Sequence, residues 1–162
     1  MERRFFELRH GGDRKLSGVA VRYGDTAILP WGKERFEPSA FGDVGRVDAV
    51  LNAHHDRGRP LARTGGGGLT LTDSAEALEF AAELPETRDS DDVLTLVKTG
   101  VLRGASIEFT AKTERFESNV RVIGRAALSG IAIVDRPAYK DSEIAARMAL
   151  QPRSAPQRRW WF

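Results

Sequence analysis

Cysteine is absent from the 162 residues. That excludes disulfide frameworks, thiol nucleophiles and every cysteine-ligated zinc or iron–sulfur site. Histidine is scarce: His10, His54 and His55 are the only three. No run of about 18 apolar residues occurs, so nothing is expected to span a membrane. The opening Met1-Glu2-Arg3-Arg4-Phe5-Phe6 has no apolar stretch of the kind a secretory signal needs. A large charge of one sign is also missing. Lys and Arg number 25 against 23 Asp and Glu, for a net charge of +2. Three of the positive charges, Arg153, Arg158 and Arg159, fall in the last twelve residues, and without those three the body carries −1. A near-neutral body with a basic tail is not the footprint of a nucleic-acid-binding surface. The expectation is a cytoplasmic protein that engages neither nucleic acid nor membrane.

What is present is enough for one domain, at 41% hydrophobic and 30% charged residues. The first half reads as β. Arg3 to Arg9 and Ser17 to Tyr23 are short β segments separated by the turn signal His10-Gly11-Gly12-Asp13. Residues 30–45 form an irregular connector anchored by Phe36 and Phe41. Val47 to Asn52 is the next apolar run, and Gly65 to Gly68 predicts a hairpin turn. Thr87 to Gly100 is the best helix, capped by Asp89 or Ser90, with Val93, Leu94, Val97 and Val101 at helical spacing and Gly100 as the stop. Strands follow over Leu102 to Ala111, Phe116 to Ala126 and Ala127 to Val134, then a short helix over Asp141 to Leu150. Strands outnumber helices and do not alternate with them. This predicts an α+β domain over residues 1–150, with a mainly β, barrel-like core and a few flanking helices. The tail, residues 151–162, ends in Trp160-Trp161-Phe162 and is expected to extend beyond that core.

Two places could carry chemistry. Gly104-Ala105-Ser106-Ile107-Glu108-Phe109 sets a serine among small residues, where its hydroxyl stays accessible and a substrate backbone can approach. It is not a hydrolase nucleophile elbow, because Glu108 replaces the closing glycine and a strand follows. His54-His55-Asp56 offers a base for that serine, since imidazole exchanges protons near neutral pH. In a strand the two histidines would point to opposite faces, so at most one serves. A metal site around His54, His55 and Asp56 is the competing reading, but helical His-x-x-x-His spacing is missing.

Several segments, in order, are similar to the prohead maturation proteases of tailed bacteriophages, serine peptidases related in fold to the herpesvirus assemblins. They are Leu16 to Tyr23, Glu34 to Phe41, Val50 to Asp56, Arg59 to Thr64, Leu84 to Thr87, Gly100 to Phe109 and Leu128 to Tyr139. The likeness runs from about Arg3 to Arg147. It implies an assemblin-like fold, Ser106 as nucleophile and His55 as general base, with no metal and no cofactor. Many relatives carry a glutamate where this chain has Gly130, so the orienting acid is open between Asp135, Asp56 and Glu108, with Asp135 first. By analogy with assemblins, backbone amides near Arg136 would form the oxyanion hole. The implied activity is an endopeptidase inside the assembling procapsid in the host cytoplasm. It would cut scaffold and capsid-protein segments and itself, with the major capsid protein, its scaffold segment and a second copy of the chain as partners. The competing function is a non-catalytic, tail-tube-like assembly protein, which would have no need of the His55 and Ser106 pair.

Overall fold

The computed structural model describes residues 9–10, 14–135 and 145–148. Alternation with a period of two writes the strands: in Ala77–Glu83, Leu78, Phe80 and Ala82 are buried while Glu79, Ala81 and Glu83 face out. In chain order the strands are β1 Arg9–His10, β2 Lys15–Arg22, β3 Ala27–Leu29, β4 Gly32–Phe36, β5 Val50–Ala53, β6 Asp56–Arg63, β7 Leu69–Asp73 and β8 Ala77–Glu83. The helix α1, Arg88–Lys98, precedes β9 Gly104–Glu117, β10 Val120–Val134 and β11 Ala145–Met148. One sheet has the order β1-β2-β8-β7, the other β11-β9-β10-β4-β3. β10 is the spine of the second sheet. β9 runs antiparallel along its whole length, while its other edge pairs in parallel first with β4 and then with β5. β6 extends the sheet outward from β5. Leu16 and Val21 of β2, with Leu78 and Phe80 of β8, share one core with Leu51, Ile107, Phe109, Ile131 and Ile133, so the two sheets bury their facing sides against each other.

The structure corrects several expectations. The α+β character and β dominance hold, but the sheets are open and no closed barrel is found among the described residues. The described part of the expected second helix, Ala145–Met148, is a strand paired in parallel with β9. The expected break between Ala111 and Phe116 does not occur. β9 runs on to Glu117 and turns through Ser118 and Asn119, both with positive φ, into β10. A two-residue turn of that hand suits the strand twist, and Asn tolerates it. Gly65 to Gly68 does not close a hairpin. It carries the chain from β6 in one sheet to β7 in the other, where a Cβ at Gly68 would lie 2.4 Å from the Glu83 carbonyl oxygen. The connector over residues 30–45 holds β4, and Phe36 and Phe41 do anchor it, their rings stacked 5.4 Å apart. The helix is capped by Thr87, whose Oγ1 accepts from the Ser90 amide at 3.3 Å, rather than by Asp89 or Ser90. Val93 and Leu94 are buried, but Val101 is exposed beyond the helix end. The strand expected before Arg9, most of the turn expected after His10, and the tail over 151–162 lie outside the described residues.

One buried ion pair makes a testable claim about the β4 edge. Glu34, 2% exposed, accepts from Arg121 Nη1 at 2.8 Å, and Arg121 also pairs with Glu114. Burial pushes the Glu34 carboxyl up, more strongly than Arg121 pulls it down, and Glu114 pushes the same way as burial. An acid whose pKa rises on folding holds its proton more tightly in the folded state. Its effect is therefore a stability loss as pH rises from the ordinary carboxylate range through the raised value. Glu34→Gln keeps the shape, and Arg121 keeps Glu114. Thermal melts are expected to show an equal or higher Tm at neutral pH and a flatter profile above about pH 4. A Tm several degrees lower would mean that the ion pair outweighs its desolvation.

Candidate active site

The second sheet has a far face, turned away from the shared core, and the candidate residues gather there. In β9, Ala105, Ile107 and Phe109 enter the core, so alternation puts Ser106 and Glu108 on the far face. Ser106 is register partner of Ala132 in β10, and Ala132 of Asn52 in β5. One step along, Glu108 is opposite Gly130 and Gly130 opposite Val50. A bulge between Leu128 and Gly130 sets this phase. Without the extra residue, Leu128 and Ile131 could not both point into the core, as they do. The bulge also lets Ser129 Oγ donate to the Glu108 carbonyl oxygen at 3.1 Å.

His54 and His55 are not in a strand. They form the two-residue turn between β5 and β6, with φ of 55° and 60°. Both are left-handed, a conformation that costs a non-glycine residue about 1–2 kcal/mol. Strain of this kind is kept where the surroundings dictate a side chain's direction. The turn separates the pair: His54 is exposed, while His55 is 6% exposed. Its Nδ1 lies 3.0 Å from Glu108 Oε1, and since a carboxylate only accepts, Nδ1–H is the donor. That leaves Nε2 as the free lone pair of the ring, buried and without a hydrogen-bond partner. Ser106 Oγ is equally buried and unpartnered, on a side chain 2% exposed. Both atoms are therefore committed to nothing else, and no hydrogen bond joins them. Such contacts commonly tighten only when substrate arrives.

Gly130 is what admits the acid. A Cβ there would stand 3.2 Å from Glu108 Oε2, so the carboxylate occupies space that any side chain at 130 would crowd. Arg57 Nη2 is 3.8 Å from the same oxygen. Asp135 is exposed just past the end of β10 and is not a ring partner of His55. Asp56 is exposed, and its Oδ1 accepts from the Gly58 amide at 2.8 Å. Arg136 lies outside the described residues. Among the described residues, no group of three or more His, Asp and Glu gathers to hold a metal.

A buried serine, an imidazole with its far nitrogen free and a carboxylate behind it are the parts of a serine peptidase. The family model described as caudovirus prohead serine protease matches residues 4–154. The chain belongs to that family. Membership makes it a serine peptidase of phage maturation, acting with procapsid proteins in the host cell. No curated protein and no solved structure matches the chain.

The structure brings Glu108 to the His55 ring, whereas the sequence puts Asp135 first, and the sequence does not single out Asn52. The two-residue spacing already puts Ser106 and Glu108 on one face of a strand; what local spacing does not show is that Gly130 lies opposite Glu108 and His55 beside it. The strained turn yields a further prediction. His54→Asn suits the left-handed position better and removes no buried contact, so a gain of about 0.5–1 kcal/mol with peptidase activity retained is expected. Denaturant melts beside a cleavage assay check both halves.

Proposed function

We propose that the chain is a procapsid endopeptidase in which Ser106 attacks the scissile carbonyl, His55 is general base and then general acid, and Glu108 orients His55. The observation that carries this reading is the 3.0 Å contact from His55 Nδ1 to Glu108 Oε1. It fixes the tautomer that leaves Nε2 able to take the Ser106 proton. The proton then passes from Nε2 to the leaving amine, and a water repeats the cycle on the acyl-enzyme. Its substrates are the scaffold and capsid-protein segments inside the procapsid in the host cytoplasm, and the chain itself. A second copy of the chain is a further partner. The basic aromatic tail, residues 151–162, is read as a docking or packaging peptide that self-cleavage removes.

The test is co-expression of the intact chain with its capsid precursor, followed by mass spectrometry of the products. Cleaved precursor is expected with the parent chain and intact precursor with Ser106→Ala. Equal processing by both would remove Ser106 as nucleophile, and equal processing without the chain would leave the non-catalytic assembly protein as the better reading.

A further inference from the structure

A third buried polar atom on the far face has no partner. Asn52 in β5 is 2% exposed, and its Oδ1 is buried without a hydrogen bond, as are Ser106 Oγ and His55 Nε2. The sheet register brings these three residues to one region of that face. Asn52 and Ser106 flank Ala132 in one cross-strand row, with only a methyl group between them, and His55 follows Asn52 by three residues through the turn. Its neighbours Leu51 and Ala53 point the other way, into the core. A buried acceptor left without a donor is destabilising, and an apolar residue of the same size would avoid that cost.

The protons available on this face are already assigned if Ser106 and His55 act as proposed. The His55 Nδ1 proton goes to Glu108, and the Ser106 hydroxyl proton goes to His55 Nε2. Neither group has a second proton to give Asn52 Oδ1. An extended peptide substrate would bring such a donor, because backbone N–H groups recur along its length. We infer that Asn52 is a substrate-positioning residue, its side-chain oxygen accepting a hydrogen bond from a backbone N–H of the bound peptide beside Ser106. The inference rests on the serine-peptidase reading above. It assigns Asn52 a part in holding the peptide and none in the proton transfer.

Two probes separate those parts: a fluorogenic peptide bearing the cleavage site mapped in the capsid precursor, and a small fluorophosphonate that reacts with an activated serine but has no peptide backbone. For Asn52→Leu, kcat/KM for the peptide is expected to fall tenfold or more, mainly through KM. Phosphonate labelling is expected to stay within about threefold of the parent chain and Tm to be no lower. Peptide cleavage within twofold of the parent would overturn the inference, as would a labelling rate that falls in step with cleavage. Should Asn52→Leu not fold, Asn52→Ser, too short to reach the same donor, must show the same split. Ser106→Ala is the control for the underlying reading and is expected to lose both activities. If it keeps its labelling, the serine mechanism fails, whereas loss in Ser106→Ala with no change in Asn52→Leu removes only the role of Asn52.

Discussion

Ser106→Ala is expected to lower peptide cleavage by about 10⁴-fold or more while leaving the protein as stable as its parent, or more so. The first half follows from covalent catalysis, since without Oγ no acyl-enzyme forms and only binding and electrostatic effects remain. The second half follows from the environment of that oxygen. Ser106 Oγ is buried without a partner, so the parent bears a desolvation cost of about 1–3 kcal/mol that alanine removes. Cleavage rates of a capsid-derived peptide and thermal melts of the same preparation read the two effects together. A drop in rate accompanied by a large drop in Tm would point to a structural serine. A lost rate with Tm held or raised is the signature of a group retained for chemistry.

The proposed orienting acid, Glu108, gives the second large effect. Glu108→Gln is expected to cost about 10²–10⁴-fold in kcat with little change in KM, because an amide can present the wrong group to His55 Nδ1 and no longer stabilises the imidazolium. Asp135→Asn is expected to stay within about twofold. The stronger test exploits the register. Glu108 and Gly130 are direct cross-strand partners, and a Cβ at 130 would sit 3.2 Å from Glu108 Oε2. A glutamate at 130 thus starts one strand away from the place the carboxylate already fills. Gly130→Glu alone should crowd Glu108 and lower the rate. Glu108→Gly combined with Gly130→Glu should recover a substantial part of what Glu108→Gly loses. The Val50 carbonyl oxygen, also 3.2 Å from that Cβ, limits the recovery. A double variant no better than Glu108→Gly, together with an Asp135→Asn variant that is severely impaired, would move the role to Asp135.

The sequence shows clearly those features that depend on near neighbours. Period-two burial in β8 and the apolar residues Val93 and Leu94 of α1 are local patterns and reappear in the structure, whereas the Ser106 hydroxyl, expected to be accessible, is buried. What it hides is set by partners far along the chain. Whether Asp135 or Glu108 lies beside His55 depends on which strand lies beside which, and the intervening β10 sets that. The left-handed turn at His54 and His55 was hidden for another reason. The pair lacks the Asn-Gly that usually marks such a turn, and strain imposed by tertiary structure leaves no local signature. The bulge in β10 was legible in principle. Leu128 and Ile131, three apart in a strand, cannot both be core residues unless an extra residue lies between them.

The parallel pairing of β5 with β10 also governs when the site can exist. Ala53 and Ile133 are register partners 80 residues apart. Bringing them together means closing a long loop, and non-local parallel pairing is among the slower steps in folding. His55 is synthesised early and Ser106 much later. Neither can meet the other until β10, the strand between them, has been made and docked. A growing chain on the ribosome therefore carries His55 and then Ser106 apart, and the far-face site they share is complete only when the sheet is finished.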